Sequence, residues 1–282
     1  MNKKLIYIAT LTFLAACFAW MQYAVKSPEI TTTSSLDVIE KELKDADEST
    51  FVVFDCDDVL IHQTDVVFAP ENYRLVEKYI DDLVKQKPSV EKKMKKLKGI
   101  VYESVDQVLV DEHMPEVVKD LQERKVKVLV ITSMRNEKLN EKYSIKLRQN
   151  ELEKFGFDFS KTWSDLKGKW FGEKDKSQYY EFGIVCAKPG SKGEALKNFL
   201  EYSKFNPKKI VFIDDTLSHL KNVEKLAQKM KIAFKGFEYT ASKKIPYEYK
   251  FSAERFMFQL KYLEKNEKWL SDKEAETMMS SK

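Results

Sequence analysis

The chain has 282 residues, of which 43% are apolar and 12% aromatic, enough for one large domain or a domain with an insertion and too apolar for wholesale disorder. Its formal charge is +4, but Lys3, Lys4 and Lys26 flank the first apolar segment, and setting them aside leaves one excess positive charge. Overall charge therefore gives no case for a nucleic-acid partner, and none is expected.

The opening MNKKLIYIATLTFLAACFAWMQYAVK carries two lysines and then an uncharged run from Leu5 to Val25, the pattern of an export or membrane signal rather than of a folded element. Leu14-Ala15-Ala16-Cys17 resembles the bacterial lipobox, whose cysteine is lipidated; the apolar FAWMQYAV that follows departs from that pattern. An uncleaved anchor, long enough to span a bilayer, and cleavage after a small residue are the other readings. All three send the rest of the chain across a membrane, so residues 1–26 predict an exported protein, periplasmic or membrane-anchored. Beyond them only Cys56 and Cys186 remain, which excludes a disulfide framework and leaves either one bridge or two buried thiols.

Residues 27–47, SPEITTTSSLDVIEKELKDAD, begin as a Ser/Thr-rich polar linker and become a short amphipathic helix, leading into a domain over 48–270. Phe51 to Phe54 form an apolar strand that runs directly into Asp55, Asp57 and Asp58. The next stretch, 61–112, is mostly helical without a clear core strand, and reads as a helical insertion over about 62–112. Within it, Lys85 to Lys98 holds seven lysines against one acid, while Val90, Met94 and Leu97 form an apolar stripe. Such a face is either simply solvated or a positive rim for an anionic substrate.

After the insertion the pattern becomes regular. MPEVVKDLQERK (114–125) and GEALKNFLEYSK (193–204) have helical spacing, and VKVLVIT (126–132), KIVFID (209–214) and the weaker KIAFKGF (231–237) are strand-like. Strands alternating with helices predict an α/β fold with a mostly parallel sheet covered on both faces. FSAERFMFQLKYLEKNEKWL (251–270) predicts a last amphipathic helix, and 271–282 a frayed tail.

In open parallel sheets ligands bind outside the carboxyl ends of the strands. The first strand ends in Asp55, Asp57 and Asp58, the second in Thr132 and Ser133, and KIVFI in Asp214 and Asp215. AKPGSKGEAL puts Lys192 in a Gly-flanked turn at the start of a helix. Aspartates on adjacent strand ends offer hard oxygen ligands to Mg²⁺, which pairs with substrate phosphate and offsets the repulsion among the acids. An ionised Asp55 can attack phosphorus, giving an aspartyl-phosphate, and Asp57 can serve as proton donor and then as base for water. Thr132 and Lys192 supply a hydroxyl and a positive charge for the phosphoryl oxygens. Competing readings exist: Lys188 in place of Lys192, Ser133 in place of Thr132, and a turn or helix cap at Asp214 and Asp215. His62, His113 and His219 have no metal-ligand spacing, although His62 and His219 follow motifs and can line the site. Arg135 reads equally as a phosphate contact or a surface residue, and strand alternation turns Cys56 into the core.

FVVFDCDDVL resembles the first motif of the haloacid dehalogenase-like (HAD) superfamily: apolar strand, Asp, any residue, Asp, then Thr or Val two places on, here Val59. VKVLVIT resembles the second motif, SKGEAL the third and IVFIDDTLSHLKNV the fourth, in family order over residues 51–223. The chain also resembles secreted nonspecific acid phosphatases of HAD type and, more closely, an uncharacterised group of exported bacterial HAD-like proteins with a DCDDVL-like motif. The resemblance implies a Rossmann-like three-layer αβα core with a small helical C1 cap at the insertion. It implies Asp55 as nucleophile, Asp57 as acid/base, and Mg²⁺ held by Asp55, the backbone carbonyl of Asp57 and Asp214, with Asp215 close by. Asp57 argues against the dehalogenase branch, which lacks it. The expected activity is hydrolysis of a small phosphomonoester. The alternatives are phosphotransfer through the same intermediate and a catalytically silent binding module of the cell envelope.

Overall fold

The computed structural model describes residues 29–86, 90–139, 141–171, 178–188 and 190–281; the segment expected to act as a signal or anchor, with Cys17, lies outside the described residues. The chain begins with β1 (Glu29–Thr33), α1 (Leu36–Leu43), β2 (Thr50–Phe54) and β3 (Ile61–Gln63), followed by α2 (Tyr73–Gln86), α3 (Val90–Ser104) and β4 (Gln107–Leu109). Next come α4 (Met114–Glu123), β5 (Lys127–Thr132), β6 (Lys138–Leu139), β7 (Lys142–Tyr143) and α5 (Ser144–Lys154). The last part holds β8 (Lys169–Phe171), β9 (Gln178–Glu181), β10 (Ile184–Cys186), α6 (Lys192–Ser203), β11 (Lys209–Asp214), α7 (Leu217–Met230), β12 (Ala233–Tyr239), α8 (Ala253–Asn266) and α9 (Asp272–Ser280).

The fold is α/β. Eight strands form one sheet in the order β1-β12-β11-β2-β5-β10-β9-β8, parallel from β1 to β10 and antiparallel at β9 and β8. All five residues of β2 are buried, as a strand covered on both faces must be. Successive side chains alternate between faces. Val52 and Phe54 pack with α1, α4 and α5 residues such as Ile39, Leu121 and Leu152, whereas Phe51 and Val53 pack with Leu196, Phe199, Leu220 and Val223 of α6 and α7. Helices on both faces make three layers. No described helix is long and apolar enough to cross a membrane.

Two stretches depart from the sequence reading. The expected linker is a strand: Glu29 to Thr33 pairs in parallel with Lys235 to Tyr239, where its β-branched threonines suit an extended backbone. On the far side, β8, β9 and β10 are only three or four residues long, too short to show a period. The β9–β10 turn places Phe182 (φ 55°) and Gly183 (φ 73°) in the left-handed region, as tight two-residue hairpins require. A Cβ at Gly183 would lie 2.3 Å from the Phe159 carbonyl oxygen. Cys56 and Cys186 are buried free thiols.

The helical insertion is rooted in an antiparallel ribbon, β3 against β4, outside the main sheet. It does not stand alone. Val67 and Leu97 of the insertion pack with Phe256 and Leu263 of α8 and with Trp269. Lys93 and Lys96 pair with Glu264 and Glu267, and Lys98 with Glu137, at 2.6–3.1 Å. These lysines are tied to acids of the same chain, so a positive rim for substrate finds no support in them; exposed pairs of this kind contribute little stability.

The supposed frayed tail is α9, which begins with a capping box between Ser271 and Glu274. Its first residue closes a buried network. Asp65 at the root of the insertion accepts from Trp269 Nε1 (2.7 Å) and from the Asp272 amide (2.8 Å). Asp272 in turn accepts from the Val66 amide (2.7 Å) and Arg255 Nε (2.9 Å). Removing one partner of a buried charged network leaves the others desolvated and unpaired. Asp272→Ala should therefore lower stability by about 3–5 kcal/mol in urea unfolding; a loss below about 1 kcal/mol, the range of surface pairs, would show that the network does not fasten the C-terminus to the insertion.

Candidate active site

Strand register builds the site. Ile213 of β11 lies beside Phe54 of β2, so the next residues, Asp214 and Asp55, emerge side by side, and the Asp55 amide donates to the Ile213 carbonyl at 2.8 Å. On the other flank Phe54 pairs with Val130 of β5, which brings Thr132 to the same sheet edge. Lys192, the first residue of α6, reaches this edge from the helical layer. Its Nζ lies 2.7 Å from Asp55 Oδ1 and 2.7 Å from Asp214 Oδ2. Gly193 makes that approach feasible: its amide donates to Asn222 Oδ1 at 2.6 Å, and a Cβ there would lie 2.7 Å from the Asn222 carbonyl oxygen.

The electrostatics are unbalanced. Burial pushes the Asp55 carboxyl well above its ordinary value; Lys192 pulls against this, while Asp214 and Asp215 push the same way. Burial also works against charge on Asp214, but Lys192 and His219 outweigh it and hold that carboxyl low. For Lys192 burial disfavours the ammonium, and Asp55 and Asp214 more than compensate. Asp215 is raised to about 6, mainly by burial, with Asp214 and Asp58 adding to it. Three carboxylates thus share a single buried ammonium.

Asp55, Asp214 and His219 each offer a ligand atom, all within 4.8 Å of one another. His219 Nδ1 is 3.1 Å from Asp214 Oδ1, a hydrogen-bonding contact that the sequence spacing did not single out. Asp215 and the Asp57 carboxylate lie outside that cluster. Thr132 is buried and its Oγ1 has no hydrogen-bond partner among the described residues, as suits a hydroxyl reserved for a ligand. Ser133 and Arg135 are exposed, and His113 lies on the surface beside Glu116.

Asp57 points elsewhere than expected. Arg148 of α5 holds its carboxylate: Nη2 donates to Oδ2 at 3.0 Å, and Nη1 lies 2.9 Å from Oδ1 as an ion-pair contact without hydrogen-bond geometry. Arg148 is only 2% exposed, and Glu151, one turn on, faces it at 3.0 Å. Gln107 from β4 completes the group by donating to Glu151 at 3.2 Å. Arg148 and Glu151 were missed because α5 was: its apolar positions are irregular, and a buried charged pair reads in sequence as a solvated one. The i,i+3 spacing of opposite charges was the available signal. Asp58 has a left-handed backbone (φ 61°) and its carboxylate contacts His62 Nδ1 at 2.6 Å.

The charge imbalance yields a stability prediction for chelator-treated protein. Asp215 has a folded pKa of about 6 against an ordinary 3.8, so the folded state binds its proton more tightly than the unfolded chain. Its contribution to stability is fully present below pH ~4 and is lost as pH rises through ~6. Asp215→Asn should consequently be more stable than wild type at pH ~7.5, by on the order of 2 kcal/mol, and lose that advantage at pH ~4. Equal urea midpoints at the higher pH would contradict the assignment.

Residues 32–276 match a family described as "Protein of unknown function (DUF2608)". No curated protein and no solved structure matches the chain. The match spans the sheet except the first three residues of β1, the insertion and most of the C-terminal helical segment, and by it the chain belongs to the DUF2608 family.

Proposed function

We propose that the chain is a Mg²⁺-dependent phosphohydrolase of HAD type that cleaves a small phosphomonoester through an aspartyl-phosphate on Asp55. The observation that carries this reading is the meeting of Asp55, Asp214 and Lys192 at the carboxyl edge of adjacent parallel strands, with one buried ammonium for two contacting carboxylates. Such a site lacks positive charge, and a divalent cation supplies it. The hard oxygens of Asp55 and Asp214 and the carbonyl of Asp57 would hold Mg²⁺, with Asp215 nearby, and the ion would neutralise carboxylates and phosphoryl oxygens together.

The residues then divide the work. An Asp55 carboxylate oxygen forms a bond to phosphorus as the ester P–O bond breaks, and protonated Asp57 gives its proton to the leaving oxygen. Asp57, now a carboxylate, takes a proton from water, whose oxygen attacks phosphorus. The P–O bond to Asp55 breaks, releasing inorganic phosphate and restoring the nucleophile. Lys192 and the Thr132 hydroxyl steady the phosphoryl oxygens throughout. The Asp57 side chain retains 46% exposure despite its pairing with Arg148, so it remains open to the leaving group and to water. The helical insertion would act as the cap that limits access of bulk water.

One observation favours a second reading. Arg148 engages both oxygens of Asp57, and an Asp57 kept there permanently would be unable to shuttle protons, leaving a silent module that binds phosphorylated ligands. Transfer to an acceptor other than water uses the same residues and is separated by product analysis. In either case the segment 1–26 would place the domain outside the cytoplasm.

Turnover of p-nitrophenyl phosphate separates the readings. Wild type should hydrolyse it with Mg²⁺ and stop with chelator, Asp57→Asn should lose roughly a hundredfold or more in kcat, and Asp55→Asn should be inactive. A protein that binds Mg²⁺ yet turns over no member of a broad phosphate ester panel would sink the hydrolase and leave the binding module.

A further inference from the structure

Arg148 is shared between two carboxylates in unlike surroundings. Its side chain is 2% exposed; that of Glu151 is 3% exposed, and that of Asp57, on the turn that also carries Asp55, is 46% exposed. Both acids meet the same nitrogen, Nη1, which lies 2.9 Å from Asp57 Oδ1 and 3.0 Å from Glu151 Oε2. Neither contact has hydrogen-bond geometry: Nη1, Nε, Asp57 Oδ1 and Glu151 Oε2 all lack a hydrogen-bond partner among the described residues. The one bond made runs from Nη2 to Asp57 Oδ2 at 3.0 Å. A guanidinium is best matched by one carboxylate taken bidentately, and here two acids compete for it. Buried polar atoms left without partners call for a reason.

The difference in burial supplies one. Taking away the only anion of a buried arginine is strongly destabilising, but Arg148 has two. With Asp57 turned away, Glu151 still faces Arg148 and no longer competes for Nη1. Glu151 has no such freedom, because its carboxylate is enclosed and Oε1 accepts from Gln107 at 3.2 Å. Asp57 is therefore the member of the group that can leave without orphaning the buried charge. Proton transfer asks the same of it, since an acid must come within hydrogen-bond reach of the leaving oxygen.

We propose that Asp57 has two positions, parked on Arg148 while the site is empty and turned to the leaving oxygen when a phosphoryl group is bound, with Glu151 keeping Arg148 paired in both. This rests on the phosphomonoester reading of the same site. A hydrogen bond to the leaving oxygen exists only in the turned position, so a bound ester favours that position, as a ligand must in order to shift an equilibrium. Parking reduces the competent fraction of the protein, and kcat/KM falls with it. Arg148 and Glu151 become positioning residues that act through Asp57.

Replacing the buried pair by apolar side chains, Arg148→Met together with Glu151→Leu, removes the parking place without leaving a buried charge alone. This double variant should raise kcat/KM for p-nitrophenyl phosphate by about fivefold or more, and should change nothing when added to Asp57→Asn. Glu151→Gln, which leaves Asp57 as the only carboxylate on Arg148, should lower kcat/KM. A double variant no faster than wild type, or an equal gain in the Asp57→Asn background, would overturn the proposal. Independently of turnover, the chain has five arginines, so side-chain ¹⁵N spectra can follow Arg148 as the signal that the double variant lacks. Saturating orthovanadate with Mg²⁺ should move that signal in wild type to its position in Asp57→Asn, and leave it unmoved in Asp57→Asn. A shift in wild type without turnover of any phosphate ester would keep the two positions and remove the hydrolase reading. Turnover with an unmoved signal would remove the two positions and keep the hydrolase, and no turnover with no shift would remove both.

Discussion

One buried ammonium organises this protein. Lys192 Nζ lies 2.7 Å from carboxylates on two neighbouring strands and is itself fully buried. Burying one such charge is costly, and a buried pair is tolerated only when geometry and further hydrogen bonds are good. The fold meets that condition with rigid parts. Parallel register sets Asp55 beside Asp214, the bare Cα of Gly193 lets α6 approach α7, and amides of Cys56 and Thr216 donate to the two carboxylates at 2.8 Å. Even so, the three acids outnumber the cation. The arrangement suits a site that gains a divalent ion and gives up part of its self-repulsion to it.

Around that edge the helical parts form a second level of organisation. The insertion, α8 and α9 share one apolar cluster and a buried polar network through Asp65, Arg255, Trp269 and Asp272. The insertion is therefore held at both its ribbon and its helical surface. Because the chain returns to cover it, the structure over the sheet edge is built from two segments almost two hundred residues apart in sequence. Rigid backing of this kind holds the insertion in one position against the rest of the fold.

Much of this was legible in the sequence where a residue type has one physical use. Apolar runs ending in acid located β2 and β11, and the Ser-Lys-Gly turn located Lys192, since a lysine flanked by glycines at a helix start has room to reach inward. The parallel core followed from strands alternating with helices. What stayed hidden depended on tertiary partners. Glu29 to Thr33 is a strand because β12 offers it an edge, and nothing local distinguishes its threonines from a linker. Ser271 to Ser280 is helical because Asp272 has Asp65 and Arg255 to meet. The Arg148–Asp57 pair was invisible because burial of both Arg148 and Glu151 is decided by packing of α5 against the sheet. For Asp58 the sequence offered no role, and the contact with His62 supplies one.

The central claim is that Asp55 carries the phosphoryl group. Its most direct test is to mix the protein with Mg²⁺ and a phosphomonoester, quench in acid, and map phosphorylation by peptide mass spectrometry after trapping the acyl phosphate with borohydride. The account predicts one modified position, Asp55, with the signal abolished by chelator and enhanced in Asp57→Asn, where loss of the base slows hydrolysis of the intermediate more than its formation. Modification at another residue, or turnover without any trapped acyl phosphate on Asp55, would contradict it.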